Sequence, residues 1–230
     1  MRSRPKIIVF TREPVPGSSK TRLAARIGAR NAAALADAFT HDALAKVRRL
    51  GLPLVIAAST TGALTDNDYF RSLARRFDAA IVDQEEGNLG ARMARVLAPF
   101  ALGGALLVGT DTPSLPRSVL QRATALIRHN RVVLGPSLDG GYYLVGVRGA
   151  LPDMFRGIRW GGPRVLQQTI ARLDRLGIRP ALAPAWYDVD RWSDLLLLAE
   201  QLRRLAQRGA LPCPLTAKVL TQLGLLRGCR

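Results

Sequence analysis

The sequence predicts an α/β protein in which a mostly parallel sheet lies between two layers of helices. Short apolar runs of strand length alternate with longer stretches of helical periodicity almost from end to end, an order typical of parallel sheets. The chain has 230 residues, of which 48% are hydrophobic, and this is enough for one domain with a full core. We therefore expect a single domain over residues 1–230, with a C-terminal helical extension at about 211–230.

The predicted strands are short apolar runs without polar alternation, as expected for strands that are buried on both faces. They are expected at residues 6–10, 54–58, 81–82, 105–108, 132–134 and 141–147. Helices are expected at residues 32–50, 66–77, 89–100, 117–129, 163–176, 193–207 and 216–226. Helix 66–77 places four apolar side chains on one side: Tyr69, Phe70, Leu73 and Phe77. Ser193 is the expected N-cap of helix 193–207.

The net charge of +17 is compatible with nucleic acid, a membrane surface or an anionic substrate. Residues 1–50 carry eleven Lys and Arg against three Asp and Glu, and residues 201–230 carry six against none. The arginines are scattered, and no run of them alternates with aromatic residues as a base-stacking surface requires. We therefore favour a small anionic substrate over nucleic acid.

The location of the protein is predicted from its apolar runs and its cysteines. No apolar run is long enough for a membrane span, and the run at residues 7–10 is too short for the core of a signal peptide. Cys213 and Cys229 lack metal-ligand spacing, so we expect them to be reduced thiols. These observations predict a cytoplasmic protein.

The stretch Ala105–Pro113 is the most informative part of the chain. Its apolar run predicts a strand that ends before Pro113, because proline cannot continue a central strand. Asp111 is thus expected at the carboxyl end of a strand, the edge at which open α/β sheets bind ligands, and a carboxylate there can bind a divalent cation. An equally good interpretation of this stretch alone is that Asp111 only caps the next helix or forms a turn.

The loop Pro14–Arg22 follows the first predicted strand and is a candidate phosphate-binding element. Its glycine and hydroxyl residues are typical of turns that bind anions, and Lys20 and Arg22 add full charges. It is not a Walker A loop, since the glycine that precedes the lysine there is missing. The alternative is a solvated surface loop. We favour phosphate binding because the loop is expected at the same sheet edge as Asp111.

Further carboxylates lie in two other predicted loops. Asp139 precedes Gly140 and Gly141, a pair that lets a ligand approach the backbone, although Asp-Gly is also ordinary turn chemistry. Asp188 and Asp190 lie two residues apart in an extended segment and so on one side of it. They can complete a cation site with the carboxylate of the central stretch.

Four motifs occur in order along the chain. They are Pro-Val-Pro-Gly-x-x-Lys-Thr-Arg-Leu from Pro14, Gly-Thr-Asp-x-Pro-x-Leu from Gly109, Gly-Pro-x-x-Asp-Gly-Gly-Tyr-Tyr-Leu-x-Gly from Gly135 and Asp-Val-Asp-x-x-x-Asp-Leu from Asp188. Together with Ile158-Arg-Trp160, they resemble a bacterial family of GT-A-like glycosyltransferases. That family belongs to the nucleotide-diphospho-sugar transferase superfamily, which includes the molybdenum-cofactor and 2-phospho-lactate guanylyltransferases. The resemblance covers residues 7–196 and implies a Rossmann-related, GT-A-like sheet with some strands reversed.

The resemblance also implies a set of site residues. A metal ion, expected to be Mg²⁺ or Mn²⁺, is implied at Asp111 and Asp190, and we expect Lys20 and Asp139 to be the catalytic residues. The residues expected to bind the donor and its phosphates are Gly17, Ser18, Ser19, Lys20, Thr21, Arg22 and Asn88. Those expected to bind the other substrate are Gly140, Gly141 and Tyr142. One departure concerns Asn88, which stands where the family usually has the acid of Gly-Asp-Leu-Gly-x-Arg-Met.

These expectations lead to a metal-dependent transferase that takes a nucleotide-activated donor and a small-molecule acceptor. The favoured reaction is glycosyl transfer from a nucleotide-diphospho-sugar, in which a metal stabilises the departing nucleotide. The alternative is nucleotidylyl transfer from a nucleoside triphosphate to a phosphorylated small molecule. A second alternative is a basic nucleic-acid-binding protein without catalysis. Association into a homo-oligomer stays open at this point.

Overall fold

The computed structural model describes residues 4–226, which contain seven strands and eight α-helices. The strands are β1 (Lys6–Arg12), β2 (Leu54–Ser59), β3 (Ala80–Asp83), β4 (Ala105–Gly109), β5 (Val132–Pro136), β6 (Tyr142–Val147) and β7 (Ala181–Leu182). The helices are α1 (Thr21–Ile27), α2 (Ala29–Arg48), α3 (Asp68–Phe77), α4 (Leu89–Leu97), α5 (Arg117–Leu126), α6 (Val165–Arg175), α7 (Trp192–Ala206) and α8 (Pro214–Gln222). The predicted free thiol of Cys229 and the ends of the predicted domain lie outside the described residues.

The strands form one sheet in the order β3-β2-β1-β4-β6-β5-β7. Strand β6 is antiparallel to both β4 and β5, and every other neighbouring pair is parallel. The prediction of a mostly parallel mixed sheet is therefore confirmed. Because β1 lies between β2 and β4, the carboxyl ends of these three strands form one continuous edge.

Alternate residues of the central strands pack against opposite helical layers. Ile7 and Val9 of β1 belong to a cluster with residues of α2, α3 and α5. Ile8 faces the other way and belongs to a cluster with residues of α4 and α6. This alternation confirms the predicted arrangement of helices on both faces of the sheet.

A third cluster joins α1, α7 and α8 to the outer side of α2. Leu35 and Phe39 of α2 are fully buried there, together with Leu198 of α7 and Leu220 of α8. The C-terminal segment is thus anchored on α2. Among the helices of residues 4–226, none is both long and apolar enough to cross a membrane.

The structure differs from the sequence prediction at several element boundaries. The residues before 32 form the separate helix α1 and the start of α2, divided by Gly28 at φ 82°. Strand β7 was not predicted, since its two residues form a strand only through pairing with β5. Ser193 as N-cap was wrong, because α7 already begins at Trp192 and Asp194 Oδ2 accepts a hydrogen bond from the Arg191 amide at 2.8 Å.

Candidate active site

The neighbouring carboxyl ends of β1 and β4 bring together residues that are far apart in sequence. Asp111 lies two residues beyond the end of β4, and Lys20 lies in the loop between β1 and α1. The amide of Val189 donates to the Asp111 carbonyl at 2.8 Å, which places the next residue, Asp190, at the same edge. Helix α5 starts after Pro116 without a side-chain cap, so helix capping does not account for Asp111.

Lys20 connects the two carboxylates at this edge. Its Nζ lies 2.6 Å from Asp111 Oδ1 and 2.7 Å from Asp190 Oδ1, and it donates to the Val189 carbonyl at 2.9 Å. The lysine side chain is 8% exposed, whereas the aspartate side chains are 46% and 41% exposed. The backbone of Lys20 is left-handed, with φ 46°, which is costly for a residue other than glycine. The three contacts of Nζ hold the residue in this conformation.

The surroundings of Lys20 keep it positively charged. Burial by itself lowers the pKa of an ammonium group. Here the charges of Asp111 and Asp190, together with their hydrogen bonds to Nζ, outweigh burial, and the pKa of Lys20 is raised above its ordinary value of 10.5. Lys20 is therefore a cation throughout the neutral pH range, in contact with two carboxylates that water can reach.

The same geometry tests whether these residues suit the predicted metal. One oxygen of Asp111 and one of Asp190 lie within 2.7 Å of the position that the Lys20 ammonium occupies. Mg²⁺ or Mn²⁺ can bind two such carboxylate oxygens when phosphates and water provide the remaining ligands. Within residues 4–226 no group of three or more His, Cys, Asp or Glu side chains is placed to hold a metal. Asp111 and Asp190 thus fit a divalent cation that shares its ligands with a bound substrate, and Lys20 would compete for the same oxygens.

Asp188 belongs to the same segment as Asp190 but has a different partner. Its carboxylate accepts a hydrogen bond from the Ser137 hydroxyl. Burial raises the pKa of Asp188 to about 7, the Ser137 hydrogen bond opposes this shift, and the charges of Asp111, Asp139 and Asp190 add to it. Of the two loop acids, only Asp190 reaches Lys20, while Asp188 extends the acidic site toward residue 137.

The predicted glycine turn lies next to Ser137 and is held by backbone hydrogen bonds. The Gly140 amide donates to the Ser137 carbonyl at 3.1 Å, and the Ser137 amide donates to the Gly141 carbonyl at 3.0 Å. Gly140 has φ 90°, and a Cβ there would lie 1.9 Å from the Pro163 carbonyl oxygen, so only glycine fits. Asp139 Oδ1 accepts from the Gly141 amide at 2.9 Å. Asp139 is therefore both a turn residue and an exposed carboxylate at the site.

The loop before Lys20 is a compact turn. Gly17 has φ 89°, and the amides of Ser18 and Ser19 both donate to the Val15 carbonyl, at 3.2 and 3.0 Å. Those two amides are already bonded within the loop and are not directed at an anion. The cationic side chain of Arg22 and the hydroxyl of Thr21 are exposed at the start of α1. The phosphate-binding capacity of this loop thus rests on its side chains.

Asn88 and the ring of Tyr142 have structural contacts, whereas the Tyr142 hydroxyl has no hydrogen-bond partner among the described residues. Asn88 Oδ1 accepts from the Ala91 amide at 3.0 Å and caps α4. The ring of Tyr142 packs edge-on against Trp160, with 6.3 Å between centroids, and its hydroxyl is buried. A Cβ at Gly90 would lie 2.6 Å from the Trp160 ring. The Gly87–Met93 motif therefore packs directly against residues 158–160. Contacts of Asn88 and Tyr142 with substrates stay predictions.

The sequence prediction missed a second buried lysine behind the same loop. Lys46 of α2 is 7% exposed and donates from Nζ to the Pro113 carbonyl at 2.7 Å. One turn earlier, Asp42 accepts hydrogen bonds from the Leu215 amide at 3.2 Å, and from the Thr216 amide at 2.8 Å and hydroxyl at 2.7 Å. An Asp and a Lys four residues apart within an otherwise alanine-rich helix were the available signal.

The family model described as "Uncharacterized protein conserved in bacteria (DUF2064)" matches residues 40–162, more than half of the chain. The chain belongs to this family. The matched region includes Asp111 and the turn at Asp139, whereas Lys20 and Asp190 lie outside it on either side. No curated protein matches the chain.

Solved structures give a more detailed comparison. A proposed nucleotide-diphospho-sugar transferase from Desulfovibrio desulfuricans G20 is 30% identical, with a TM-score of 0.82 over 96% of this chain and 98% of that one. A nucleotidyl transferase from Methanothermobacter is 16% identical, with a TM-score of 0.54 over 87% and 98% of the two chains. The inositol-1-phosphate CTP transferase from T. maritima is 12% identical, with a TM-score of 0.54 over 96% and 97%. The last two share the fold with this chain.

Proposed function

We propose that the chain is a transferase that uses a nucleotide-activated donor, and that it transfers a glycosyl group from a nucleotide-diphospho-sugar. The observation that carries the proposal is the contact of Lys20 with Asp111 and Asp190 at the carboxyl ends of β1 and β4. Open α/β sheets bind their ligands at this edge. A permanent cation beside two water-accessible carboxylates suits phosphate groups and the metal ions that accompany them.

The relative from Desulfovibrio desulfuricans supports the sugar-nucleotide donor. It is itself a proposed nucleotide-diphospho-sugar transferase, and its likeness covers 96% of this chain at 30% identity. The two more distant structures have names that denote nucleotide-using transferases. They support a nucleotide donor on this fold but do not favour one transferred group.

In this proposal each site residue has a distinct task. Asp111 and Asp190 would hold Mg²⁺ or Mn²⁺, which when bound supplies positive charge to the phosphates of the departing nucleotide. A metal that takes the oxygens of Asp111 and Asp190 would displace the Lys20 ammonium from them. Lys20, together with Arg22, would then bind the donor phosphates through charge-assisted hydrogen bonds. Asp139, exposed on its glycine turn, accepts the proton of the acceptor hydroxyl.

Nucleotidylyl transfer is the second candidate, and the cationic loop after β1 favours it. In that reaction an acceptor phosphate attacks a nucleoside triphosphate and pyrophosphate leaves. The raised pKa of Lys20 and the exposed guanidinium of Arg22 would stabilise the negative charge that develops on pyrophosphate. The two reactions differ in the product they release, which is a nucleoside diphosphate in the first and pyrophosphate in the second.

A thermal-shift screen of nucleoside triphosphates and nucleotide-sugars, each with Mg²⁺ or Mn²⁺, tests the proposal. A ligand at roughly a hundred times its dissociation constant stabilises the native state by about 2.7 kcal/mol. We expect a nucleotide-sugar to raise the unfolding midpoint of the wild type and to leave that of Asp111→Asn nearly unchanged. If no nucleotide or nucleotide-sugar shifts the wild type, the proposed function is wrong.

Substitution of Lys20 separates the two reactions. If Lys20 binds the phosphates that both donors share, Lys20→Ala should weaken nucleoside triphosphate and nucleotide-sugar alike, each at least tenfold, because a hydrogen bond to a charged group contributes about 1.5–3 kcal/mol. We expect this outcome. A loss confined to the triphosphate would favour nucleotidylyl transfer. Lys218→Ala, at an exposed lysine of α8, is the matched control and should bind both donors normally.

The non-catalytic alternative is tested by nucleic-acid binding across a salt series. Binding through phosphates weakens steeply with salt and does not depend on the carboxylate of Asp111. Tight, salt-sensitive binding that persists in Asp111→Ala, without any nucleotide effect in the thermal screen, would favour a nucleic-acid-binding protein over a transferase.

A further inference from the structure

A second cationic group lies farther along the same edge of the sheet, beside β1 and β2. Arg92 projects from α4 toward β1, with its guanidinium carbon 5.4 Å from the centroid of the Phe10 ring. A terminal nitrogen of Arg92 donates to Gln84 Oε1. Arg12, the last residue of β1, is exposed and lies close enough for its charge to lower the pKa of Arg92. The three polar side chains Arg12, Gln84 and Arg92 form what we call the arginine subsite.

Gln84 holds Arg92 in a fixed position. The Gln84 side chain is 1% exposed, and its Nε2 donates to the Thr11 carbonyl at 2.8 Å and to the Ala57 carbonyl at 2.7 Å. Both hydrogens of the Gln84 side-chain amide therefore donate to backbone carbonyls near the ends of β1 and β2. Only Oε1 of Gln84 is left, and it accepts from Arg92. The guanidinium is thus positioned by a rigid amide rather than by a flexible surface contact.

Arg92 nevertheless has an incomplete set of partners. Its Nε is buried and has no hydrogen-bond partner among the described residues. Neither Arg92 nor Arg12 has a carboxylate within salt-bridge distance in residues 4–226. Burial lowers the pKa of Arg92, the neighbouring charge of Arg12 lowers it further, and Asp83 opposes both. Two adjacent guanidinium groups therefore lie at the edge of the sheet without a direct counter-ion.

Arg95, one turn further along α4, shows the contrast. Its Nε pairs with Glu85 at 3.1 Å, and a terminal nitrogen donates to the Gln84 and Glu86 carbonyls at 3.0 and 3.1 Å. Glu85 and these two carbonyl groups are thus used by Arg95, while Asp83 Oδ1 accepts from the Glu85 amide at 2.7 Å. The Arg92 terminal nitrogen that is not bonded to Gln84 has no partner among the described residues and, unlike Nε, is not buried. A bound anion can therefore give this nitrogen an acceptor and the guanidinium a counter-charge.

We propose that the arginine subsite binds a phosphate group, with Arg92 as the principal ligand and Arg12 as the second. Guanidinium groups form paired hydrogen bonds with phosphate oxygens, and the terminal nitrogen of Arg92 that does not bond to Gln84 is free to donate. The proposal deepens the proposed function, because strand β1 lies between the strand that precedes Asp111 and strand β2. A ligand with several phosphates can therefore extend along one edge from Lys20 to Arg92.

Calorimetric titration with inorganic pyrophosphate, in EDTA and at fixed ionic strength, tests the subsite without a nucleotide. We expect Arg92→Gln to lose at least tenfold in affinity and Arg12→Gln about threefold. Arg95→Gln is the matched control from the same helix and should stay within twofold of the wild type. Equal affinity in Arg92→Gln and the wild type, or an equal loss in Arg95→Gln, would overturn the proposal.

Two further measurements keep the result interpretable. In phosphate-free buffer, Arg92→Gln should unfold close to the temperature of the wild type, because removal of the buried unpaired Nε offsets the loss of the hydrogen bond to Gln84 Oε1. Only the wild type should gain stability on addition of pyrophosphate. If Arg92→Gln instead unfolds much earlier without any anion, Arg92 is a structural residue and the proposal fails.

The origin of the phosphate is distinguished by two organic probes. If the subsite binds a donor phosphate, Arg92→Gln weakens a nucleoside diphosphate, and if it binds an acceptor phosphate, the variant weakens glucose 1-phosphate instead. Either loss supports the subsite. Pyrophosphate binding that depends on Arg92 when no nucleotide binds would leave the subsite standing while the proposed function fails. Nucleotide binding that is equally tight in Arg92→Gln and the wild type would overturn the subsite and leave the proposed function standing.

Discussion

Lys20 and Lys46 are two buried lysines that contact the same loop, the one that follows β4, yet their charges are stabilised in different ways. Lys20 lies against the carboxylates of Asp111 and Asp190, and its pKa is raised. Lys46 donates to the neutral carbonyl of Pro113. Burial lowers the pKa of Lys46 to about 8, although the charges of Cys213 and Asp42 oppose this shift.

The difference shows why one lysine suits a ligand site and the other a structural role. A carbonyl satisfies the hydrogen bond of an ammonium group but leaves most of its charge uncompensated. The carboxylates around Lys20 supply full charge and remain about half exposed, so a ligand can reach them. Lys46 is enclosed and can only hold the loop in place from behind.

The largest expected effect comes from making Lys20 resemble Lys46. In Asp111→Asn/Asp190→Asn the buried ammonium loses both carboxylates. Removing the partners of a buried charge is strongly destabilising, but the cost is reduced here because the two carboxylates are half exposed. We therefore expect the free energy of unfolding to fall by about 3 kcal/mol. Urea denaturation at pH 7 measures it. Glu200→Gln, which breaks only exposed pairs, is the control, and an equal effect in both variants would refute the comparison.

A smaller effect is expected from the titration of Lys46. Its pKa is lower in the native chain than in the unfolded chain, so the unfolded chain binds more protons between about pH 8 and pH 10.5, and stability rises with pH in that window. Lys46→Met should remove about 2 kcal/mol of this rise between pH 8 and pH 10. Denaturation curves at the two values measure it, with Lys218→Met as control. Parallel pH profiles for the wild type and Lys46→Met would contradict the assigned shift.

The smallest of these effects concerns Asp42, the nearest carboxylate to Lys46 along α2. Asp42→Asn keeps the shape but weakens the hydrogen bonds from Leu215 and Thr216 at the start of α8. We expect the free energy of unfolding to fall by about 1 kcal/mol and the pKa of Lys46 to fall further. Hydrogen exchange should be faster at the Thr216 amide and unchanged at the end of α5. Unaltered exchange at Thr216 would show that Asp42 does not hold α8.

Much of the fold could be predicted because strand-forming segments carry their own signal. The run from Ala105 to Val108 is apolar at every position and ends close to a proline, and β4 ends at Gly109. The reversed direction of β6 could not be derived from its own residues, because an apolar sequence such as Tyr142–Val147 suits a parallel strand equally well. Its direction follows from pairing with β4 and β5.

The candidate site likewise contains residues that could be selected from the sequence and residues that could not. Asp111, Lys20 and Asp190 could be selected from the sequence, since a carboxylate after a strand and a cationic loop after another strand are local features. Gln84 and Arg92 could not be selected, because nothing near them in the sequence distinguishes them from other glutamines and helix arginines. Their role depends on the hydrogen bonds of Gln84 to the ends of two strands. Only that placement positions the Arg92 guanidinium beside the ends of β1 and β2.

The sequence by itself determined the alternation of strands and helices, the buried character of the sheet and the identity of the charged residues available to the site. Those properties depend on local periodicity and side-chain chemistry. The tertiary structure alone decided that Lys20 bridges two acids more than ninety residues away and that Lys46 donates to a neutral carbonyl. The state of a charge depends on the groups that reach within hydrogen-bond distance of it, and folding, rather than sequence spacing, sets that distance.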